Sequence, residues 1–298
     1  MPEKKVVYTP PAEIRALTND ERRIVEDFHK LYYRVWRDGR FTLDVSWLGY
    51  FAIKNPLDLW IYQEIITERQ PDIILETGTL MGGSAYFMAC ICQLLGKGRV
   101  ITVDVKGEQT VGSWRPVHPL ITYMRGFSTD PAIVEAVQKE CEGKTVMVIL
   151  DSDHSRKNVN AELAAYAPLV SVGQYLIVED SNVNGHPVLP EHGEGPYEAI
   201  EDFLSANLDF VTDLARERFM FTLNPNGYLL RVGNHAAGVF DELATLSVAD
   251  DALKRGNLEK AVKALAEGLR QNPGSAAIAE TLAALKDKVA GGLPPGPV

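Results

Sequence analysis

Between Ile73 and Val178 the apolar residues alternate between two patterns. Short unbroken runs occur at Ile73 to Leu75, Val100 to Val103, Ile121 to Met124, Val146 to Leu150 and Tyr175 to Val178. Each is too short for a helix and mostly β-branched or aromatic. Each is also apolar on both faces, as a strand buried in a parallel sheet must be. Between these runs, Ser84 to Leu95, Ile133 to Cys141 and Asn158 to Leu169 carry their apolar residues at helical spacing. Strands alternating with helices predict a parallel sheet covered by helices on both faces.

The flanking segments read differently. Residues 1 to 12 read as an arm. Glu21 to Arg37 places Ile24, Phe28, Leu31, Tyr32 and Val35 on one helical face, with Thr18-Asn19-Asp20 as its cap. Asp58 is placed to open a helix carrying Leu59, Tyr62, Ile65 and Ile66. Trp47, Tyr50 and Phe51 just before it read as packing of this cover onto the sheet, and Lys54 is given no role. Beyond the sheet, residues 181 to 196 are rich in Gly and Pro and read as a lid or specificity loop. Tyr197 to Ala206 is helical. Phe219 to Leu223 and Tyr228 to Val232 are expected as two strands joined by Asn224-Pro225-Asn226-Gly227, since Asn-Gly favours a hairpin turn. From about Phe240, Ala and Leu dominate. Gly256, Leu258, Ala261, Leu265, Leu269 and Pro273 resemble the second half of a tetratricopeptide repeat. A solenoid needs about three repeats, so this part is expected to pack on the domain or on another subunit, with Gly291 to Val298 as a disordered tail. The division expected is a helical cover (1–70), a main domain (71–235) and a helical extension (240–290).

Composition narrows the function. The chain has 298 residues and is 46% hydrophobic, enough to fill a large core. Its 30 basic and 40 acidic residues give a net charge of −10, which argues against nucleic acid as a partner. Cys90, Cys92 and Cys141 have neither a disulfide framework nor zinc spacing. The N-terminus lacks the apolar core of a signal peptide, and no run is long enough to span a membrane. A cytoplasmic protein without a membrane partner is the expectation.

The first strand ends in Glu76-Thr77-Gly78-Thr79, followed by Gly82-Gly83-Ser84 and a helix. A dinucleotide loop would read G-x-G-x-x-G, but Leu80 breaks that pattern. A carboxylate at Glu76 would also repel a pyrophosphate. It suits a ligand with positive charge, such as S-adenosylmethionine, which carries an ammonium and a sulfonium but no phosphate. Asp104, ending the second strand, is placed to accept from ribose hydroxyls. Alternatively, Glu76 caps a helix and the glycines only permit a tight turn. Residues after the third strand, including Ser128, border the position of an adenine. The candidate cofactor contacts are Glu76, Thr77, Gly78, Thr79, Ser84, Asp104, Ser128 and Asp151.

A second constellation lies at the next two strand ends: Asp151 and Asp153, then Glu179 and Asp180. Neighbouring strands lie roughly 5 Å apart, so these carboxylates converge. Clustered hard oxygen donors without Cys suit Mg²⁺, Ca²⁺ or Mn²⁺ better than zinc or copper. His154 points into the same mouth and is a candidate proton acceptor, with Asp153 as the alternative.

The segments W-L-G-Y-F-A-I-K-N-P-L-D-L (47–59), P-D-I-I-L-E-T-G-T-L-M-G-G-S-A (71–85), L-D-S-D-H-S (150–155), Y-A-P-L-V-S-V-G-Q-Y-L-I-V-E-D (166–180) and N-G-H-P-V (184–188) occur in order. Together they resemble the cephalosporin hydroxylase/rhamnosyl O-methyltransferase family, from about Trp47 to Val232. The resemblance implies an α/β, Rossmann-like class I methyltransferase sheet with a helical N-terminal cover and a helical C-terminal extension. It implies an S-adenosylmethionine- and Mg²⁺-dependent O-methyltransferase acting on a small-molecule hydroxyl acceptor, a sugar or hydroxylated natural product, and working as a homo-oligomer. Carried onto this chain, it makes Asp151, Glu179 and Asp180 metal ligands and His154 the base. Asp153 leaves the first ligand open. No 2-His-1-carboxylate set for non-haem iron is present. The competing readings are a catalytically silent adaptor that uses its repeat-like C-terminus, and a metal-independent N-methyltransferase.

Overall fold

The computed structural model describes residues 17–40, 45–106, 115–234 and 241–290. The expected arm at 1–12 and the tail at 291–298 lie outside the described residues.

The cover begins with α1 (Asn19–Val35), closed by a capping box between Thr18 and Glu21 and continued by a π turn, Trp36–Arg40. A small hairpin of β1 (Ser46–Trp47) and β2 (Tyr50–Phe51) leads to α2 (Pro56–Arg69). Asn55, not Asp58, caps α2, accepting from Leu57 N at 3.2 Å. Proline just inside the start fixes φ where no N–H partner is needed. Asp58 is instead buried and tied across the molecule. Its carboxylate accepts from Thr222 Oγ1 (2.6 Å), Leu223 N (2.9 Å) and Tyr228 OH (2.9 Å).

The main sheet contains β3 (Ile73–Thr77), β4 (Arg99–Asp104), β5 (Ile121–Arg125), β6 (Val146–Leu150), β7 (Tyr175–Val178), β8 (Phe210–Thr212) and β9 (Tyr228–Arg231). Their order is β5-β4-β3-β6-β7-β9-β8. The first five are parallel, and β9 runs antiparallel to both β7 and β8. The order reverses at β3, where the chain crosses from the β4–β5 side to the β6–β7 side. Open α/β sheets bind ligands at such a switch point, outside the carboxyl ends of the strands.

The expected hairpin is corrected here. Residues 219–223 form no strand, and the partner of β9 is β8. The backbone amide of Leu223 goes to Asp58, and Phe221 sits edge-on against Phe28, His29 and Tyr32 of α1. The turn residues were read correctly, but the preceding segment serves the cover instead of a ladder.

Alternate residues of each strand face opposite sides. Leu75, Ile101, Val103, Val148 and Leu150 pack on α5 (Arg156–Tyr166) and α6 (Pro196–Ala206), beside α4 (Pro131–Cys141). Ile74, Val100, Met147, Ile149 and Ile177 pack on α2 and α3 (Gly83–Leu95). Cys92 and Cys141 are free thiols, buried as small apolar residues in these two cores.

The extension forms α7 (Glu242–Lys254), α8 (Leu258–Gln271) and α9 (Ala276–Ala290). A Cβ at Gly268 would lie 2.2 Å from Thr245 Oγ1, so α7 and α8 cross closely there. The unit packs on its own domain. Ala244, Val248 and Ala264 cover Leu208 and Val211, while Arg255 reaches Glu201 and Thr212. It therefore shields β8, an edge strand that would otherwise offer open pairing groups. Among the described residues no helix is long and apolar enough to cross a membrane.

Candidate active site

A cavity of about 480 Å³ lies at the carboxyl ends of the parallel strands. That size is ordinary for a small-molecule site. Its two halves are built differently.

The β3–β4 half is closed by its own polar groups. Glu76 is fully buried beneath the loop, where its carboxylate accepts from Ser84 Oγ (2.5 Å) and Thr102 Oγ1 (2.7 Å). Burial raises its pKa, opposed by Lys54 and by these hydroxyls. Thr79 Oγ1 meets Thr102 Oγ1 at 2.7 Å, and Thr77 accepts from Asp151 N through both its carbonyl and its hydroxyl. Gly78 has φ +87, and a Cβ there would fall 1.8 Å from the Asp151 carbonyl. Only glycine lets the two strand-end loops meet. Of this group Gly78 lines the cavity, and Glu76, Thr77, Thr79 and Ser84 frame it from behind. Asp104 lines the cavity as well. Its oxygens accept from Leu80 N and Lys106 N, both at 2.7 Å, and Arg115 stands 3.6 Å away. A carboxylate offers about four acceptor sites, so capacity remains for further donors. Ser128 borders the same cavity, next to the exposed ring of Phe127.

The β6–β7 half holds charge against charge. Lys54 Nζ pairs with Asp151 Oδ2 and lies 2.6 Å from Glu179 Oε1. Burial alone would lower the lysine pKa, but Asp151 and Glu179 outweigh it and hold the ammonium protonated. Burial pushes the Asp151 carboxyl up to about 7, against the pull of Lys54 and helped by Asp180. Glu179 is raised well above the usual range, by burial first and by Asp151 second. Asp180 Oδ2 lies 3.2 Å from His154 Nε2. Asp151, His154 and Asp180 each offer one ligand atom, and these atoms lie within 4.8 Å of one another. Glu179 is not in that group; its Oε1 faces Lys54, which Asp151 also contacts. Asp153 stays outside as well: its Oδ1 accepts from Ser155 N at 2.9 Å, which lowers its pKa.

The strand-end acids thus reach one edge, as their positions implied. Sequence reading gave no role to Lys54. The Asn55-Pro56 helix start was the available signal, since it fixes the preceding residue at the sheet edge. Trp36, at the π turn, also enters the cavity wall. Segment 181–196 is strapped down, unlike a free lid. Asn182 Nδ2 meets His29 Nε2 at 2.9 Å, and Glu198 accepts from Asn184, His186 and Gly195 N.

Residues 39–232 match the family model described as Rhamnosyl O-methyltransferase/CmcI. The chain is 42% identical over 215 residues to a rhamnosyl O-methyltransferase of Mycobacterium leprae (strain TN), spanning 70% of this chain and 90% of that protein. The same identity holds over 216 residues with the Mycobacterium tuberculosis (strain H37Rv) protein of that name, over 70% and 85%. A solved apo structure of CmcI aligns with a TM-score of 0.50 at 20% identity, covering 76% of this chain and 91% of that one. A Mg–SAM structure of CmcI gives the same score and identity, over 76% and 90%. These structures establish the fold, and the sequence matches establish the kinship. The chain belongs to the rhamnosyl O-methyltransferase/CmcI family and is an S-adenosylmethionine-dependent O-methyltransferase.

Proposed function

We propose that the protein methylates a hydroxyl of a sugar, a rhamnosyl unit or a close relative, with a divalent cation at Asp151 and Asp180 and with His154 as proton acceptor. The observation that carries this reading is the group of Asp151, His154 and Asp180 in the same cavity that Gly78 and Asp104 line. The name shared by the 42%-identical relatives supports the sugar.

The residues present fit both groups. The half-buried Asp151 and Asp180 carboxylate oxygens are hard donors suited to Mg²⁺ or Mn²⁺. The glycine loop presents an acid-backed surface in place of an anion cradle, which suits a cationic, phosphate-free methyl donor. S-adenosylmethionine supplies an electrophilic methyl, and a divalent cation makes a hydroxyl more acidic. The chain's own residues do the remainder. Asp104 and Ser128 hold the ribose and adenine end, and Glu76, Thr77, Thr79 and Ser84 keep the loop in shape. Asp180 faces His154 Nε2, which favours the tautomer protonated there and leaves Nδ1 to take the acceptor's proton. The acceptor oxygen would then bond to the methyl carbon as the carbon–sulfur bond breaks, and S-adenosylhomocysteine would leave. Bringing the two together is chiefly a matter of positioning.

The protein is also read as a homo-oligomer, because α1 leaves Ile24, Phe28 and Leu31 on one exposed face. Sedimentation that returned only monomer would remove this part. For the reaction, the test is transfer of labelled methyl to rhamnosylated acceptors with and without EDTA. Full transfer in EDTA would exclude the cation, and transfer to an amine alone would exclude the sugar hydroxyl.

A further inference from the structure

Lys54 sits between the β1–β2 hairpin and α2, and its side chain is 5% exposed. The backbone around it is fixed: Lys54 N donates to Ala52 O at 2.8 Å, Asn55 caps α2, and Asn55 Nδ2 is held by Asp58. Its ammonium contacts Asp151 and Glu179, while Asp180 faces His154. With Asp151, Glu179 and Asp180 ionised, one ammonium leaves two negative charges, the amount a single divalent cation cancels. Asp151 therefore has two claimants, the Lys54 ammonium and the cation of the proposed function.

We infer that Lys54 is a positioning residue that serves as the metal-free site's own cation, holding Asp151 and Glu179 in place and competing with the divalent ion for Asp151. This rests on the metal reading above. Two positive centres around one carboxylate repel each other strongly in a buried site, so the lysine sets an upper limit on metal affinity. It also makes the metal-free protein tolerate three neighbouring acids, which would otherwise repel one another or take up protons.

The experiment is a calorimetric titration with Mg²⁺ alone, at one fixed pH and ionic strength, on wild type, Lys54→Met and Lys54→Arg. Lys54→Met is expected to bind Mg²⁺ about tenfold more tightly or better, while Lys54→Arg stays near wild type. Thermal unfolding in EDTA is expected to drop for Lys54→Met and to recover when Mg²⁺ is added. A merely structural lysine would not raise metal affinity on removal. Equal or weaker Mg²⁺ binding by Lys54→Met overturns the competition alone. No Mg²⁺ binding by any of the three overturns the metal reading and the competition with it. If Lys54→Met is unfolded in EDTA, refolding by Mg²⁺ supports the inference. A Lys54→Met protein unfolded with and without Mg²⁺, beside a folded Lys54→Arg, overturns it.

Discussion

The two halves of the strand-end edge use the same residue type to different ends. At β3 and β4, Glu76 and Asp104 meet hydroxyls and backbone amides, with Arg115 the only cation facing either at contact range among the described residues. At β6 and β7, Asp151, Glu179 and Asp180 meet an ammonium and an imidazole. Neutral donors fix a carboxylate in place and add no charge to its surroundings. Cations and a histidine make it part of a charge balance that a ligand or a proton can shift. On the proposed function, the first half would frame the bound donor molecule and the second would hold the metal and take the proton.

The largest effect expected from this contrast is at Asp180. Asp180→Ala should abolish methyl transfer while the protein still binds S-adenosylmethionine, and EDTA on wild type should do the same. An active Asp180→Ala enzyme would place the cation elsewhere. Next is His154→Ala, expected to lower the rate by roughly 10²–10⁴, the usual share of a general base, with partial recovery at high pH. A fall in Mg²⁺ affinity in that variant would make His154 a ligand instead of the base.

On the other half the effect is on stability. Glu76→Ala leaves the buried Ser84 and Thr102 hydroxyls without their acceptor. It should cost about 1–3 kcal/mol, read as a lower midpoint in urea. An unchanged midpoint would mean that the carboxylate does not hold the loop. The last effect, confined to acid pH, concerns the strap beside β7. Burial, helped by Lys30, pushes the His29 imidazole down to about 4 from 6.5. Between those values the unfolded chain takes up a proton that the folded one does not. The contribution of neutral His29 is thus full above pH 6.5 and lost as pH falls through about 4, worth up to about 3 kcal/mol. His29→Gln should flatten that slope. A mutant with the wild-type acid profile would assign the slope to other groups.

Much of this was legible in the sequence. The five parallel strands were plain because each is a short apolar run, four of them with an acid at or just beyond the end, and Glu76, Asp104, Asp151 and Asp180 reach one edge as read. What the sequence hid depends on long-range partners. Asp58 read as a helix opener, but its partners Thr222, Leu223 and Tyr228 lie more than 160 positions away. The same bonds explain why residues 219–223 are not a strand. Glu76 looked like a direct ligand because its position points at the site, and the hydroxyls that occupy it come from α3 and β4. Lys54 was silent for the same reason: nothing local shows that its ammonium meets acids about a hundred positions on.

The measurement that tests the division most directly is a pair of calorimetric titrations, S-adenosylmethionine and Mg²⁺, each run on Asp104→Ala and on Asp180→Ala. The account predicts a crossed result: Asp104→Ala loses affinity for S-adenosylmethionine and keeps Mg²⁺, while Asp180→Ala loses Mg²⁺ and keeps S-adenosylmethionine. If each variant loses both ligands to the same degree, the two halves are one inseparable site and the division is wrong.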